Sequence, residues 1–116
     1  MPVLHEQQCI PCRGGVPPLQ PGEVREYLAQ LDGWTVERDH HLLKTYPFPD
    51  FATALAFVNS IGRLADEQGH HPDLRLSWGR VGVEIRTHKI DGLTASDFIL
   101  AAKIDQLGAG PRGGAG

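Results

Sequence analysis

The stretch DLRLSWGRVGVEIRT, residues Asp73 to Thr87, decides the fold. Two runs alternate apolar and polar residues on either side of Gly79-Arg80, the pattern of paired half-buried strands. A two-residue Gly-X turn suits a type II′ hairpin and places Trp78 opposite Val81. In that register Arg75 faces Glu84 and Asp73 faces Arg86, two opposite-sign pairs on one face. The other face carries Leu74, Leu76, Trp78, Val81, Val83 and Ile85, all apolar. Trp78 is therefore expected in the core. A single register accounts for both faces.

Upstream, Pro21 opens a helix, and Val24, Leu28 and Leu31 share one of its faces. Gly33 is the expected stop. WTVE and HLLKTYPF, separated by RDH, read as a second hairpin. Asp50 caps a long helix with the apolar stripe Phe51, Leu55, Val58, Ile61 and Ala65, ended by Gly69. Downstream, T-x-x-D from Thr94 to Asp97 resembles a capping box with Asp in place of Glu or Gln. Phe98, Ala101, Ala102 and Asp105 carry that helix to about Leu107. The order is α-β-β-α-β-β-α. The economical solution is an α+β fold, a four-stranded antiparallel sheet with helices packed on one face.

The chain has 116 residues, enough for one domain. Residues 1–18, with PCRGGVPP, read as an irregular arm, residues 19–107 as the folded domain, and residues 108–116 as a disordered Gly-rich tail. The formal net charge is −3 with the signs interspersed, so no basic cluster points to nucleic acid. No apolar run approaches a membrane span, and the first residues lack a signal-peptide core. The expected location is the cytoplasm. Cys9 and Cys12 form C-x-x-C, but the residues after them are glycines and prolines rather than a helix. They read as a reduced pair without a function, with metal binding or redox chemistry as alternatives.

Two histidine doublets stand out. His40 and His41 fall between two strands and are expected to be solvated. His70 and His71 follow Gly69 and precede Pro72. Extending the hairpin register brings His71 opposite His88 on the polar face, with Cβ atoms roughly 5 Å apart. Pro72 favours extended geometry for His71. His70 then points the other way and joins the group if Gly69 bends the chain. Asp66, in the last turn of the long helix, can hold an imidazole in one tautomer.

The run D-x-x-x-H-H-P from Asp66, then Trp78, His88 and Asp97 at their spacings, resembles the pterin-4a-carbinolamine dehydratase signature. DGW at Trp34 and FPDFATALAFVNSIGRLAD resemble the same family. The likeness covers roughly Leu19 to Leu107 and implies an α+β fold. It implies dehydration of a 4a-hydroxytetrahydropterin (for instance 4a-hydroxytetrahydrobiopterin) to the quinonoid dihydropterin, which recycles the cofactor of aromatic amino acid hydroxylases. It further implies catalytic roles for His70, His71 and His88 and supporting roles for Asp66, Asp97 and Trp34. Many members carry Glu where this chain has Asp66. The family also implies a homodimer or homotetramer.

The chemistry suits the residue types independently. The leaving hydroxyl needs a proton donor and N5 needs an acceptor. Imidazole, with a reference pKa near 6.5, serves both roles. Dehydration passes no electrons to an outside acceptor, so no redox cofactor is required. Two alternatives stand beside this reading: a metal site built from the histidines and Asp66, and a protein-binding module, a dimerisation partner or assembly chaperone, on the same fold.

Overall fold

The computed structural model describes residues 4–6, 18–87, 90 and 92–108. Three helices and four strands follow one another: α1 (Pro21–Leu28), β1 (Thr35–Glu37), β2 (His41–Pro47), α2 (Phe51–Gln68), β3 (Asp73–Ser77), β4 (Arg80–Ile85) and α3 (Ala95–Gly108). The strands form one antiparallel sheet in the order β1-β2-β4-β3. This is the expected α+β architecture.

Strand β4 lies inside the sheet, and its Val81, Val83 and Ile85 are buried. They pack with Leu42 of β2, Ile61 of α2 and Phe98, Leu100 and Ile104 of α3 in one core. Helix α3 buries residues on almost every side, Phe98, Ile99, Leu100, Ala101, Ala102 and Ile104 among them. A helix apolar all round belongs between other elements. It is packed by α1, α2, β2 and a short 3-10 turn, Leu4–Glu6. The expected irregular arm is thus anchored at Leu4, which is buried. Cys9 and Cys12 and the Gly-rich tail lie outside the described residues.

The β3–β4 register differs from the expected one by two residues. Ser77 pairs with Arg80, so Trp78 and Gly79 form the turn. Gly79 holds φ +81, a left-handed conformation that favours glycine at the second central position. Arg75 therefore faces Gly82, and Asp73 faces Glu84. A two-residue slip leaves each side chain on its own face, so the core is indifferent to it. The exposed charge pairs that argued for the other register are each worth only about 0.2–1 kcal/mol. Turn geometry decides instead. Trp78 consequently sits at the turn, 72% exposed, and is not core.

Three further expectations shift. Helix α1 ends at Leu28, so Leu31 lies beyond it and Gly33 serves a later bend at φ +81. The buried stripe of α2 is Ala54, Phe57, Ile61 and Ala65, leaving Phe51 and Leu55 exposed. Phe57 turns inward because Tyr46 and Phe48 receive its ring, with centroids 4.8 and 5.1 Å away. A buried aromatic ring removes more apolar area from water than an aliphatic side chain does. His40 and His41 are half-buried and touch each other, Nδ1 to Nδ1 at 3.0 Å. They are not freely solvated.

Candidate active site

Helix α2 runs from an N-cap at Asp50, whose carboxylate accepts the Thr53 N–H at 2.8 Å, to Gly69. Gly69 takes φ +65, the left-handed C-cap that halts a helix and reverses the chain. The His70 N–H still reaches back to the Ala65 carbonyl at 3.2 Å. The doublet thus leaves the helix on a bend, and its two imidazoles reach different acids.

His70 Nε2 lies 2.6 Å from Asp97 Oδ1. Asp97 is fully buried, and the His70 side chain is 10% exposed. The second oxygen of Asp97 accepts the Thr94 N–H at 2.7 Å and the Thr87 hydroxyl at 2.8 Å. The Thr94 bond is the backbone half of the expected capping box, and the Asp97 N–H returns a bond to the Thr94 carbonyl at 3.1 Å. Asp97 therefore caps α3 and holds His70 with opposite oxygens. An ionised carboxylate only accepts, so the Nε2 it meets carries a proton and Nδ1 is left for other work.

His71 Nε2 lies 2.9 Å from Asp66 Oδ1, with side chains 62% and 82% exposed. The reach of Asp66 to an imidazole is as expected, though it spans the bend to His71. The register that set His71 opposite His88 is not formed, and the β3–β4 ladder begins at Asp73. His88 itself lies outside the described residues. Among the described residues no group of three or more His, Cys, Asp or Glu is arranged to hold a metal ion.

Trp34 is brought elsewhere. It is buried, and its indole N–H donates to Asp105 Oδ2 at 3.0 Å. Lys44 Nζ donates to Asp105 Oδ1 at 2.8 Å and to the Asp32 carbonyl at 2.8 Å, and the Tyr46 hydroxyl donates to the same carboxylate. Burial, reinforced by Asp105, pushes the Tyr46 hydroxyl far above its ordinary range, so it stays a neutral donor. Asp105 follows Asp97 by eight residues along α3, about 12 Å of helix rise. Trp34 and Asp105 thus clasp the α1–β1 loop and β2 onto the far end of α3.

Thr87 is the site residue that sequence reasoning passed over. The inward alternation of Val81, Val83 and Ile85 continues to it, placing a buried hydroxyl on an apolar face. That break in pattern is the available signal.

Comparison with known proteins places this chain in a family. The family model described as Pterin 4 alpha carbinolamine dehydratase matches residues 17–107. A Rubrobacter xylanophilus protein named "Putative pterin-4-alpha-carbinolamine dehydratase" is 52% identical over 107 residues, covering 92% of this chain and all of that protein. A Rickettsia bellii protein of the same name is 56% identical over 105 residues, 90% of this chain and 93% of its own. Among solved structures, a transcriptional coactivator/pterin dehydratase from Brucella melitensis superposes with a TM-score of 0.73 at 32% identity, over 78% of this chain and 97% of that one. A pterin dehydratase-like protein identified as a RuBisCO assembly factor in the alpha-carboxysome superposes at 0.58 and 21% identity, over 67% and 92% of the two chains, and shares the fold. The fold is thus that of a pterin dehydratase-like α+β domain. The chain belongs to the pterin-4a-carbinolamine dehydratase family.

Proposed function

We propose that this protein removes water from a 4a-hydroxytetrahydropterin, giving the quinonoid dihydropterin. The C4a–O bond breaks, the hydroxyl leaves as water with an added proton, and N5 gives up its proton. His70 works through Nδ1: bare in the resting ring, it takes the proton from N5, and the imidazolium so formed passes it to the leaving hydroxyl. Its Nε2 is committed to Asp97, which holds the ring and balances the charge it takes up. His71, exposed and steadied by Asp66, binds and orients the pterin ring. His88 joins on its place in the family signature, and Trp34 supports only from a distance, by its bond to Asp105 at the far end of α3. The observation that carries the reading is the buried His70–Asp97 pair, whose second carboxylate oxygen is already filled. In this mechanism no electron leaves the substrate and no cofactor takes part. The test is the decay of freshly generated 4a-hydroxytetrahydropterin followed by ultraviolet absorbance. The protein should accelerate it, and a rate equal to the uncatalysed one would reject the reading.

The protein acts, in this account, as a homodimer or homotetramer. Phe51, Leu55 and Trp78 are large exposed apolar side chains. The Phe48 N–H bonds the Gly79 carbonyl at 2.8 Å, tying the Trp78 turn to the segment that enters α2. Strand β3 also leaves an unpaired sheet edge. Light scattering that gives 12.7 kDa at every concentration would refute self-association. Among the described residues no helix is long and apolar enough to cross a membrane.

A further inference from the structure

We infer that Thr87 is a positioning residue for His70, acting through Asp97. Three observations meet at this side chain. Thr87 is 2% exposed, and its hydroxyl donates to Asp97 Oδ2 at 2.8 Å. The same hydroxyl oxygen lies 3.0 Å from Thr94 Oγ1. The proton count fixes the direction: Thr87 spends its one proton on Asp97, so the Thr94 hydroxyl donates to Thr87. The relay runs Thr94 to Thr87 to Asp97 to His70.

The cap does not require Thr87. The first turn of α3 is served by the Thr94 N–H on Oδ2 at 2.7 Å. The threonine hydroxyl comes from the segment just after β4, and its carboxylate bond adds a second anchor to the same oxygen. One anchored oxygen still lets a carboxylate swing about its Cβ–Cγ bond, a soft torsion. Two donors from different directions stop the swing. Oδ1 is then presented to His70 Nε2 at 2.6 Å. A fixed acceptor there selects the Nε2–H tautomer and leaves Nδ1 bare.

Thr87 also makes backbone bonds. Its N–H donates to the Gly92 carbonyl at 2.8 Å, and its carbonyl receives the Ile90 N–H at 3.2 Å. Residue 88, the third histidine of the signature, is its chain neighbour. Thr87 therefore bonds, by its side chain, the carboxylate that meets His70 and, by its backbone, Ile90 and Gly92.

The activity arm of the test rests on the dehydratase reading, and the spectroscopic arm does not. Thr87→Val keeps the shape and removes the hydroxyl, while Thr87→Ser keeps the hydroxyl. Loss of one hydrogen bond to a charged group predicts a kcat about tenfold lower for Thr87→Val with KM within about twofold. Thr87→Ser should recover most of the rate. Imidazole 15N shifts, recorded where the rings are neutral, should show His70 as Nε2–H in the wild type and in Thr87→Ser, and as a tautomer mixture in Thr87→Val. Wild-type His70 in the Nδ1–H form would overturn the inference even if Thr87→Val failed to fold. So would a folded Thr87→Val protein with wild-type tautomer and kcat. A wild type that shows the Nε2–H form but accelerates no dehydration would remove the function proposed above and leave the positioning intact.

Discussion

His70 and His71 are neighbours in sequence and opposites in surroundings. His70 meets a carboxylate with no exposure, and His71 meets one that is 82% exposed. The separations, 2.6 and 2.9 Å, are similar. Burial sets the energetic difference. An exposed ion pair is screened by water and is typically worth about 0–1 kcal/mol. A buried charged acceptor cannot fall back on water, so losing a partner there costs about 1.5–3 kcal/mol or more. The doublet is therefore one fixed imidazole and one adaptable imidazole, joined by a peptide bond. Fixing suits proton transfer, which demands geometry, and adaptability suits engagement of a ring that must enter and leave.

The comparison can be broken most directly at its buried half. His70→Ala should lower kcat by about 10²–10⁴-fold, and His71→Ala should act chiefly on KM. Steady-state kinetics on both variants would contradict the division of labour if the two effects were exchanged. The paired carboxylates provide the next contrast. Asp97→Asn should lower unfolding stability by about 1.5–3 kcal/mol in urea titrations, and Asp66→Asn by less than about 1 kcal/mol. Equal costs would show that burial does not separate the pairs.

A smaller effect is expected at the distal clasp. Trp34→Phe keeps an aromatic ring in the core and loses the bond to Asp105, which should cost about 1–2 kcal/mol by the same titration. The smallest effect concerns the two ends of α2. Asp66 at its last turn holds a histidine, whereas Asp50 at its start holds the helix itself. Bonds from Thr53, backbone first and then side chain, lower the Asp50 carboxyl below its ordinary range. A group with a depressed folded pKa stabilises above its unfolded pKa and loses that contribution as pH falls through the folded one. Asp50→Ala should thus lower the thermal midpoint at neutral pH, and the gap from wild type should close in acid.

Much of this arrangement was legible in the chain. Period-two alternation gave the faces of β3 and β4, and the caps at Asp50, Gly69 and Thr94 bounded α2 and α3. Both acids and both histidines of the doublet were in view. Their partnering was not, because helical spacing from Asp66 points to His70 and ceases to apply once Gly69 turns left-handed. The β3–β4 register escaped because parity preserves the core under a two-residue slip, and the turn that breaks the tie depends on where Gly79 sits within it. Ile61 and Ala65 lie on the inward face of α2 as expected, but its first half escaped because the rings that receive Phe57 lie on and just after another strand. Asp105 gave no sign of its three donors, which converge from the α1–β1 loop and from β2.

At the centre stands the proposed proton work of the buried His70–Asp97 pair in a dehydration. Its most direct test follows the absorbance decay of freshly generated 4a-hydroxytetrahydropterin with wild type, His70→Ala, His71→Ala and His88→Ala, each with and without chelator. The prediction is a wild-type acceleration insensitive to chelator, reduced at all three histidines and most severely in kcat at His70. A folded wild type that leaves the uncatalysed rate unchanged would contradict it, as would activity abolished by chelator.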